Sequence, residues 1–320
     1  MSKLYDSGAK LLAAKSGVAP SVATIESLSG SLGNTGIVLC VGPFLCRLRC
    51  KLPQLSEPLF TLYQDYSLNR TISDGSVCDF DVEISQIKKR FWSASEVEFQ
   101  WKGYPPLPAL PISQTHPLFE WGLNWCIATL LGTEIVIHAA VVEKNGIAVV
   151  LPGEPGAGKS TLCAALVLSG WRLFSDELTV IPIQSELAMP IPRPISLKDA
   201  SIELIAKRYP DAQLTTPITE TRKGEIAYVR PPTEAIRRWK ETVPIRYFLF
   251  PLFQKGLGLS AEPMSRAACL AKLMASTFNV GLLGHEGFSA LANVVAGASA
   301  YSFEYGDLDS ALEWIDRNCL

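Results

Sequence analysis

Residues 153–160 constrain this chain more than any other segment, because they fit the pattern G-x-x-x-x-G-K-S/T. An apolar run, residues 146–151, leads directly into them, and residues 161–168 continue with the spacing of a helix. Glycines let backbone N–H groups curl around an anion in conformations that a Cβ would obstruct. The positive end of the following helix points at the same anion. The pattern therefore predicts a strand, a phosphate-binding loop and a helix.

The side chains of this loop indicate which anion it binds. Lys159 supplies a compact charge for the β- and γ-phosphates of a nucleotide, and Ser160 supplies a hydroxyl that can reach Mg²⁺. ATP with Mg²⁺ is the expected ligand. A dinucleotide site is the main rival, but in the frame from Gly156 the third glycine of its pattern is replaced by Thr161. The expected cofactor-binding residues are Gly153, Glu154, Pro155, Gly156, Ala157, Gly158, Lys159, Ser160 and Thr161.

An acidic pair, Asp176 and Glu177, follows the next short strand, residues 171–174. One helix and one strand separate the pair from Lys159, so Asp176 should return to the loop's end of the sheet. A carboxylate there could hold Mg²⁺ or accept the proton of an attacking hydroxyl, and Glu177 could face metal or substrate. Asp is also favoured as a helix N-cap, which is the structural alternative.

His138 lies within an apolar strand, residues 135–142, beside the strand that feeds the loop. A lone histidine in such a strand is more often a satisfied core residue than a catalyst, and the residues alone leave both interpretations open.

Composition excludes several classes of partner and location. A net charge of −2 over 320 residues gives no general attraction to nucleic acid or to an anionic membrane. No apolar run is long enough to span a bilayer, and no secretory leader is recognisable, so a cytoplasmic protein is expected. The eight cysteines lack CxxC spacing and are expected to be reduced and mostly buried thiols.

His138, the loop and residues 170–177 occur in the order and spacing of the HPr kinase/phosphorylase family, which shares its core with ATP-dependent phosphoenolpyruvate carboxykinases. The chain resembles the branch called HprK-related kinase A from about Gly42 onward. Two features depart from the parent family: Glu177 stands where a second aspartate is usual, and the segment that contacts HPr is not recognisable. The resemblance to the branch is carried by residues 120–126, 138–142, 192–198, 221–224 and 301–308.

The resemblance implies a fold and a domain organisation. The expected fold class is α/β, an HPr kinase-like P-loop nucleotide-binding core preceded by a smaller β-rich or α+β region. Residues 1–36 are expected to form a flexible or helical lead-in. Residues 37–111 are expected to form the β-rich region, which ends in a proline-rich linker, and residues 112–320 the kinase domain.

The resemblance also implies site roles. Asp176 becomes the catalytic base, His138 tunes it, and Ser160 and Glu177 help to place Mg²⁺. On the residues alone, four isolated basic side chains are expected to be solvated surface charges. The resemblance suggests that Arg222 or Lys223 closes over the transferring phosphate, where charge spreads over the equatorial oxygens. The four are Arg193, Lys198, Arg222 and Lys223.

The implied activity is an ATP-dependent serine kinase that transfers the γ-phosphoryl group to a small protein or peptide. The branch accompanies small PqqD-like proteins, so such a protein, or a peptide that it delivers, is the expected partner, and a homo-oligomer is conceivable because the parent family forms rings. Two other functions stay open: phosphorolysis or hydrolysis of phosphoserine by the same residues, and an ATP-gated interaction module without turnover.

Overall fold

The computed structural model describes residues 24–69, 77–87 and 95–320. They form a mixed α/β protein that divides into two compact units, the first ending at residue 126 and the second beginning at residue 127. Of the expected lead-in, residues 1–23 lie outside the described residues, and helix α1 (Ile25–Asn34) follows them. Nowhere along the described ranges is there a helix long and apolar enough to cross a bilayer.

The first unit is built on one six-stranded sheet. Its strands lie in the order β3-β1-β2-β4-β5-β6, in which only the pairing of β2 with β4 is parallel. The elements, after α1, are β1 (Ile37–Val41), β2 (Phe44–Cys50), α2 (Pro53–Leu62), β3 (Leu68–Asn69), β4 (Phe80–Ile87), β5 (Glu96–Trp101), β6 (Leu110–Pro111), a 3₁₀ turn (Ile112–Gln114) and α3 (Thr115–Leu130).

The division between the units falls inside α3, later in the chain than the boundary expected at residue 111. Packing explains the position, because the first turns of the helix contact the sheet of the first unit. The α3 backbone passes so close to Phe99 that a Cβ on Gly122 would lie 2.2 Å from the Phe99 ring. One turn later, the rings of Trp101 and Trp125 lie 5.9 Å apart. The proline-rich segment therefore precedes a helix that begins as part of the first unit.

An eight-stranded sheet organises the second unit, with the order β10-β7-β8-β15-β17-β16. The pairings of β15 with β8 and with β17 are parallel, while β9 pairs with β7 and β11 with β15 off this path. The strands of this sheet are β7 (Glu134–Lys144), β8 (Ile147–Pro152), β9 (Arg172–Ser175), β10 (Leu178–Pro182), β11 (Leu187–Ala188), β15 (Val243–Phe253), β16 (Ser260–Pro263) and β17 (Ser299–Tyr305).

A second, three-stranded sheet in the order β12-β14-β13 and six helices complete this unit. The strands are β12 (Ile195–Lys198), β13 (Ile218–Thr221) and β14 (Gly224–Val229). The helices are α4 (Lys159–Leu168), α5 (Ala200–Arg208), α6 (Thr233–Arg237), α7 (Arg266–Ala275), α8 (Val280–Ala296) and α9 (Leu308–Asn318).

Alternation along β7 and β8 explains why both strands are almost wholly apolar. Val149 and Leu151 pack into one hydrophobic core together with α4 and α9, while Ala148 and Val150 pack into a second core with α7 and α8. A strand covered on both faces has no solvent side, so the usual polar alternation disappears. His138 is a polar interruption in this central pair of strands.

Candidate functional site

The loop between β8 and α4 has the backbone conformation that its glycines allow. Gly156 has φ 89° and Gly158 has φ 91°, values in which an L side chain is strained. A Cβ on Gly158 would also lie 2.8 Å from the hydroxyl of Tyr305. Both glycines are therefore required by the course of the chain into the first turn of α4.

Lys159 is the first residue of α4 and is only 8% exposed. Its Nζ donates hydrogen bonds to the carbonyl oxygens of Gly153, at 2.5 Å, and Glu154, at 2.9 Å. Burial lowers the pKa of this amine, and the negative charges of Glu177 and Asp176 oppose that shift. The ammonium group is thus held against the loop, close to the acidic pair.

Asp176 occupies the turn between β9 and β10 and is only 3% exposed. The backbone N–H of Ser196 donates to its Oδ2 at 3.0 Å, and within the described residues its buried Oδ1 has no hydrogen-bond partner. Burial, followed by repulsion from Glu177, raises the pKa of Asp176 to about 7, although the Ser196 amide and the Ser160 hydroxyl favour the charged form. This carboxyl group can therefore accept or release a proton near neutral pH.

The environment of Glu177 lowers the pKa of its carboxyl group, whereas that of Asp176 is raised. Its Oε2 lies 3.4 Å from Nε2 of His138, and both side chains are about one-third exposed. Burial alone would raise the pKa of Glu177, but His138, Lys198 and Lys223 outweigh it and hold the pKa below its usual value. Adjacent carboxyl groups whose environments push their pKa values apart are suited to different roles, one as base and one as permanent anion.

His138 lies level with the start of the loop, because its neighbour Ala139 is paired with Pro152 at the end of β8. Its imidazole faces Glu177 on one side, and the ring of Phe278 lies 6.0 Å away. The side chain is therefore partly exposed, and it contacts Glu177, whereas the resemblance implied that it tunes Asp176.

A cleft of about 510 Å³ brings most of the sequence-predicted site residues together. Lys223 lines it, whereas its neighbour Arg222 does not. Among the expected loop residues, Gly153, Glu154 and Ala157 also lie outside the lining, although Lys159 contacts two of their carbonyls. The lining comprises His138, Pro155, Gly156, Gly158, Lys159, Ser160, Thr161, Asp176, Glu177, Ser196, Lys198, Asp199, Ser201 and Lys223.

Four lining residues were not predicted as site residues: Ser196, Lys198, Asp199 and Ser201. Lys198 ends β12 and its backbone is fixed by Ser201, whose Oγ accepts from the Lys198 N–H and donates to the Lys198 carbonyl. Asp199 follows with φ 48° and ψ −129°, an uncommon conformation for a non-glycine residue, and it begins α5. An ordinary-looking Ser-Leu-Lys-Asp sequence carries no local signal of this arrangement.

The expectation that Arg193 is a solvated surface charge is wrong, because its side chain is only 8% exposed. It lies in a nearly continuous buried run from residue 188 to 197, between β11 and β12. Flanking Pro192 and Pro194 already set this arginine apart from a typical surface charge, and that was the signal available in the sequence.

The described residues contain no group of three or more His, Cys, Asp or Glu side chains that could hold a metal ion alone. Mg²⁺ in nucleotide sites is usually bound by one or two protein oxygens together with phosphate oxygens and water. The Ser160 hydroxyl, the ionised Glu177 and the unpartnered Oδ1 of Asp176 fit that mode of binding.

Comparison with known proteins gives a weak likeness in structure and none in sequence. No protein family model matches the chain, and no curated protein matches it in sequence. Among the solved structures that match is the Hpr(Ser) kinase/phosphatase from Coxiella burnetii, with 13% identity and a TM-score of 0.26. The match covers 57% of this chain and 95% of that one. With a TM-score this low, function has to be inferred from the site itself, and the HprK-related resemblance stays a prediction.

Proposed function

We propose that this chain is a Mg-ATP-dependent kinase that transfers the γ-phosphoryl group to a hydroxyl of a small protein or peptide, with serine as the expected acceptor. The observation that carries the proposal is geometric: Lys159, Ser160 and Asp176 all line one cleft at the start of α4. A simple glycine turn would not need a buried carboxylate facing it. Phosphoryl transfer needs positioning and charge stabilisation, and this cleft supplies groups for both.

In this proposal the loop amides and Lys159 bind the phosphates, and the N-terminus of α4 adds its dipole. Lys159 exchanges its two carbonyl contacts for phosphate oxygens. Ser160 and Glu177 would hold Mg²⁺, which would supply positive charge to neutralise the phosphate oxygens.

Asp176 accepts the proton of the acceptor hydroxyl. Its burial supports this role, since a carboxyl group with a pKa near 7 is a far better base than an ordinary aspartate and is still half deprotonated at neutral pH. His138 contacts Glu177 and keeps that carboxylate ionised and in place beside the base. Lys223, more than Arg222, is the candidate for contact with the transferring phosphoryl group, because only Lys223 lines the cleft.

Lys198 adds a third cation to the same cleft. Three lysines, set against the carboxylates of Asp176, Glu177 and Asp199, act together with the loop amides in a site that can accept the negative charge of a nucleoside triphosphate. The proposed acceptor, a small PqqD-like protein or a peptide that it delivers, rests on the sequence resemblance.

The direct test is incubation of the purified chain with Mg²⁺ and γ-labelled ATP, alone and with a PqqD-like protein or with small proteins of its host. We expect label on a small protein or peptide, lost in Asp176→Asn, while Asp176→Asn still binds ATP. Measurable ATP binding with label on no protein would contradict a kinase and favour the ATP-gated interaction module. Release of inorganic phosphate from a phosphoserine protein would instead favour the reverse activity.

A further inference from the structure

Beside the loop, on the side away from the acidic pair, β15 ends in two exposed apolar residues. Leu252 is 47% exposed and Phe253 is 41% exposed. The backbone N–H of Phe253 donates to the carbonyl of Ala157 at 3.2 Å, which fixes the end of the strand against the loop. The ring of Phe253 lies 5.5 Å from the buried ring of Tyr305, and the Tyr305 hydroxyl contacts the carbonyl of Gly158 at 3.4 Å.

The order of the strands indicates which end of a bound triphosphate lies toward β7 and which lies toward β15. The loop follows β8, which lies between β7 on one side and β15 on the other. His138 is on β7, and the β9–β10 turn that carries Asp176 and Glu177 joins two strands that both pair with β7. His138, Asp176 and Glu177, which are proposed to act at the γ-phosphate end, therefore all lie on the β7 side of the loop. The nucleoside end of a triphosphate held by the loop then extends toward β15.

We propose that Phe253 is the platform on which the base of the bound nucleotide stacks, with Tyr305 packed against it from within the protein. This inference rests on the proposed nucleotide site and adds the position of the base to it. Aromatic rings bind bases through their faces, and every base offers such a face. The ligand class is thus a nucleoside triphosphate, with little discrimination between adenine and guanine by this contact.

The surroundings of Phe253 agree with a stacking role better than with a packing role. The residue three positions earlier, Phe250, is 8% exposed and belongs to the hydrophobic core, whereas Phe253 lies past the end of that core. Its backbone is fixed by two successive hydrogen bonds, from the Phe253 N–H to the Ala157 carbonyl and from the Gln254 N–H to the Tyr305 carbonyl at 3.0 Å. An exposed ring on a fixed backbone loses little freedom when a base binds, so stacking costs little entropy.

The test separates the base from the phosphates by comparing Mg-ATP and Mg-GTP with inorganic triphosphate in calorimetric titrations. We expect Phe253→Ala to weaken ATP and GTP binding roughly tenfold and to leave inorganic triphosphate binding unchanged. Phe253→Trp should keep the affinity for both nucleotides. Phe288→Ala, which removes a ring that is 43% exposed on α8, is the matched control and should change nothing.

Two results would overturn the inference. Equal weakening of ATP and inorganic triphosphate in Phe253→Ala would mean that the ring only supports the loop, and Phe253→Leu would then behave as wild type because it keeps the apolar volume. Unchanged ATP affinity in both variants would place the base elsewhere. Failure of the unsubstituted chain to bind either ligand would instead remove the nucleotide site itself, and this inference with it.

Discussion

Asp199 accepts a hydrogen bond at Oδ1 from the backbone N–H of Glu225, at 2.9 Å, while its own N–H donates to the Glu225 carbonyl at 3.0 Å. These two bonds join the end of β12, where Lys198 lies, to the β13–β14 hairpin that carries Lys223. The contact is close: a Cβ on Gly224, which has φ 85°, would lie 2.3 Å from Asp199 Oδ1. The two lysines that flank Glu177 are therefore held by one aspartate.

Asp199→Ala removes the side-chain bond but leaves the pairing of β12 with β14 in place, so it should loosen only the tip of the hairpin. We expect turnover to fall roughly tenfold, because Lys223 would be less well positioned for its proposed contact with the phosphoryl group. ATP affinity should change much less, since the loop amides and Lys159 do not depend on this contact. Steady-state kinetics at varied ATP, together with a direct ATP titration, would separate the two effects.

Asp199→Asn is the matched variant, because its amide oxygen can still accept from Glu225. It should retain most of the turnover. If Asp199→Ala and Asp199→Asn were equally impaired, the charge of Asp199, and not its hydrogen bond, would be the feature that matters.

Lys159→Met should lower ATP affinity and turnover, the latter on the order of 100-fold, because it removes the positive charge proposed to contact the phosphates but keeps the buried aliphatic stem. Thermal unfolding without ligand should change little, whereas the stabilisation that excess Mg-ATP gives to the unsubstituted chain should be lost. Lys207→Met, on the exposed side of α5, serves as the control. An ATP-induced rise in Tm that survives Lys159→Met would contradict the assignment of this lysine.

The raised pKa of Asp176 predicts a specific dependence of stability on pH in metal-free buffer. The folded chain binds a proton at Asp176 up to about pH 7, whereas an unfolded aspartate releases it near pH 4, so the contribution of this group falls as pH rises between those values. The full loss is at most ~4 kcal/mol for a shift of this size. Asp176→Asn should remove this dependence.

Urea unfolding of the wild type and of Asp176→Asn at pH 5 and pH 8 measures this effect. The free energy of unfolding of the variant minus that of the wild type should be larger at pH 8 than at pH 5. Glu177 does not affect this comparison. Its pKa in the folded protein is lowered, so its contribution to the pH dependence of stability lies below the usual pKa of a glutamate. A difference between the two proteins that is constant with pH would show that Asp176 is already ionised at pH 5.

Arg172 and Glu143 form a buried ion pair whose loss should be costly. Both side chains are 5% exposed, and Arg172 also donates to the carbonyls of Arg238 and Glu241. Glu143→Gln removes the buried counter-charge of Arg172 and leaves only the half-exposed carboxylate of Glu241, 3.6 Å from Nη1. We therefore expect a loss of ~3 kcal/mol in the free energy of unfolding. Glu313→Gln, which removes the exposed partner of Arg317, should cost less than ~1 kcal/mol. Equal losses in the two variants would contradict the distinction.

Local patterns in the sequence predicted the centre of the second unit well. The strand, loop and helix at residues 147–168 follow from apolar runs, glycines and helical spacing, all of which act between near neighbours. The helix expected at residues 161–168 is observed at Lys159–Leu168, a difference of the size by which assignments of helix ends vary. The acidic pair could be placed near the loop because only one helix and one strand intervene.

Contacts between distant segments could not be predicted in the same way. Lys198 was interpreted as a surface charge because it is an isolated basic residue between turn signals, and only the fold brings it to the cleft. The insertion of β15 between β8 and β17 depends on pairings across long stretches of chain, for which a single sequence gives no register. Phe253 could not be predicted as a site residue for the same reason, since its proposed role depends on its position beside the loop.

The position of β15 also bears on when the site can form. The loop is synthesised soon after β8, but the two strands that support its far side, β15 and β17, come much later in the chain. Contacts of such long sequence separation are slow to form because loop closure must precede them. A nascent or truncated chain that ends before Val243 thus has the whole loop sequence but lacks β15 and β17, which contact the loop in the folded protein. The proposed nucleotide site is then among the last features to form during folding, and a nucleotide bound there should slow unfolding far more than it speeds refolding.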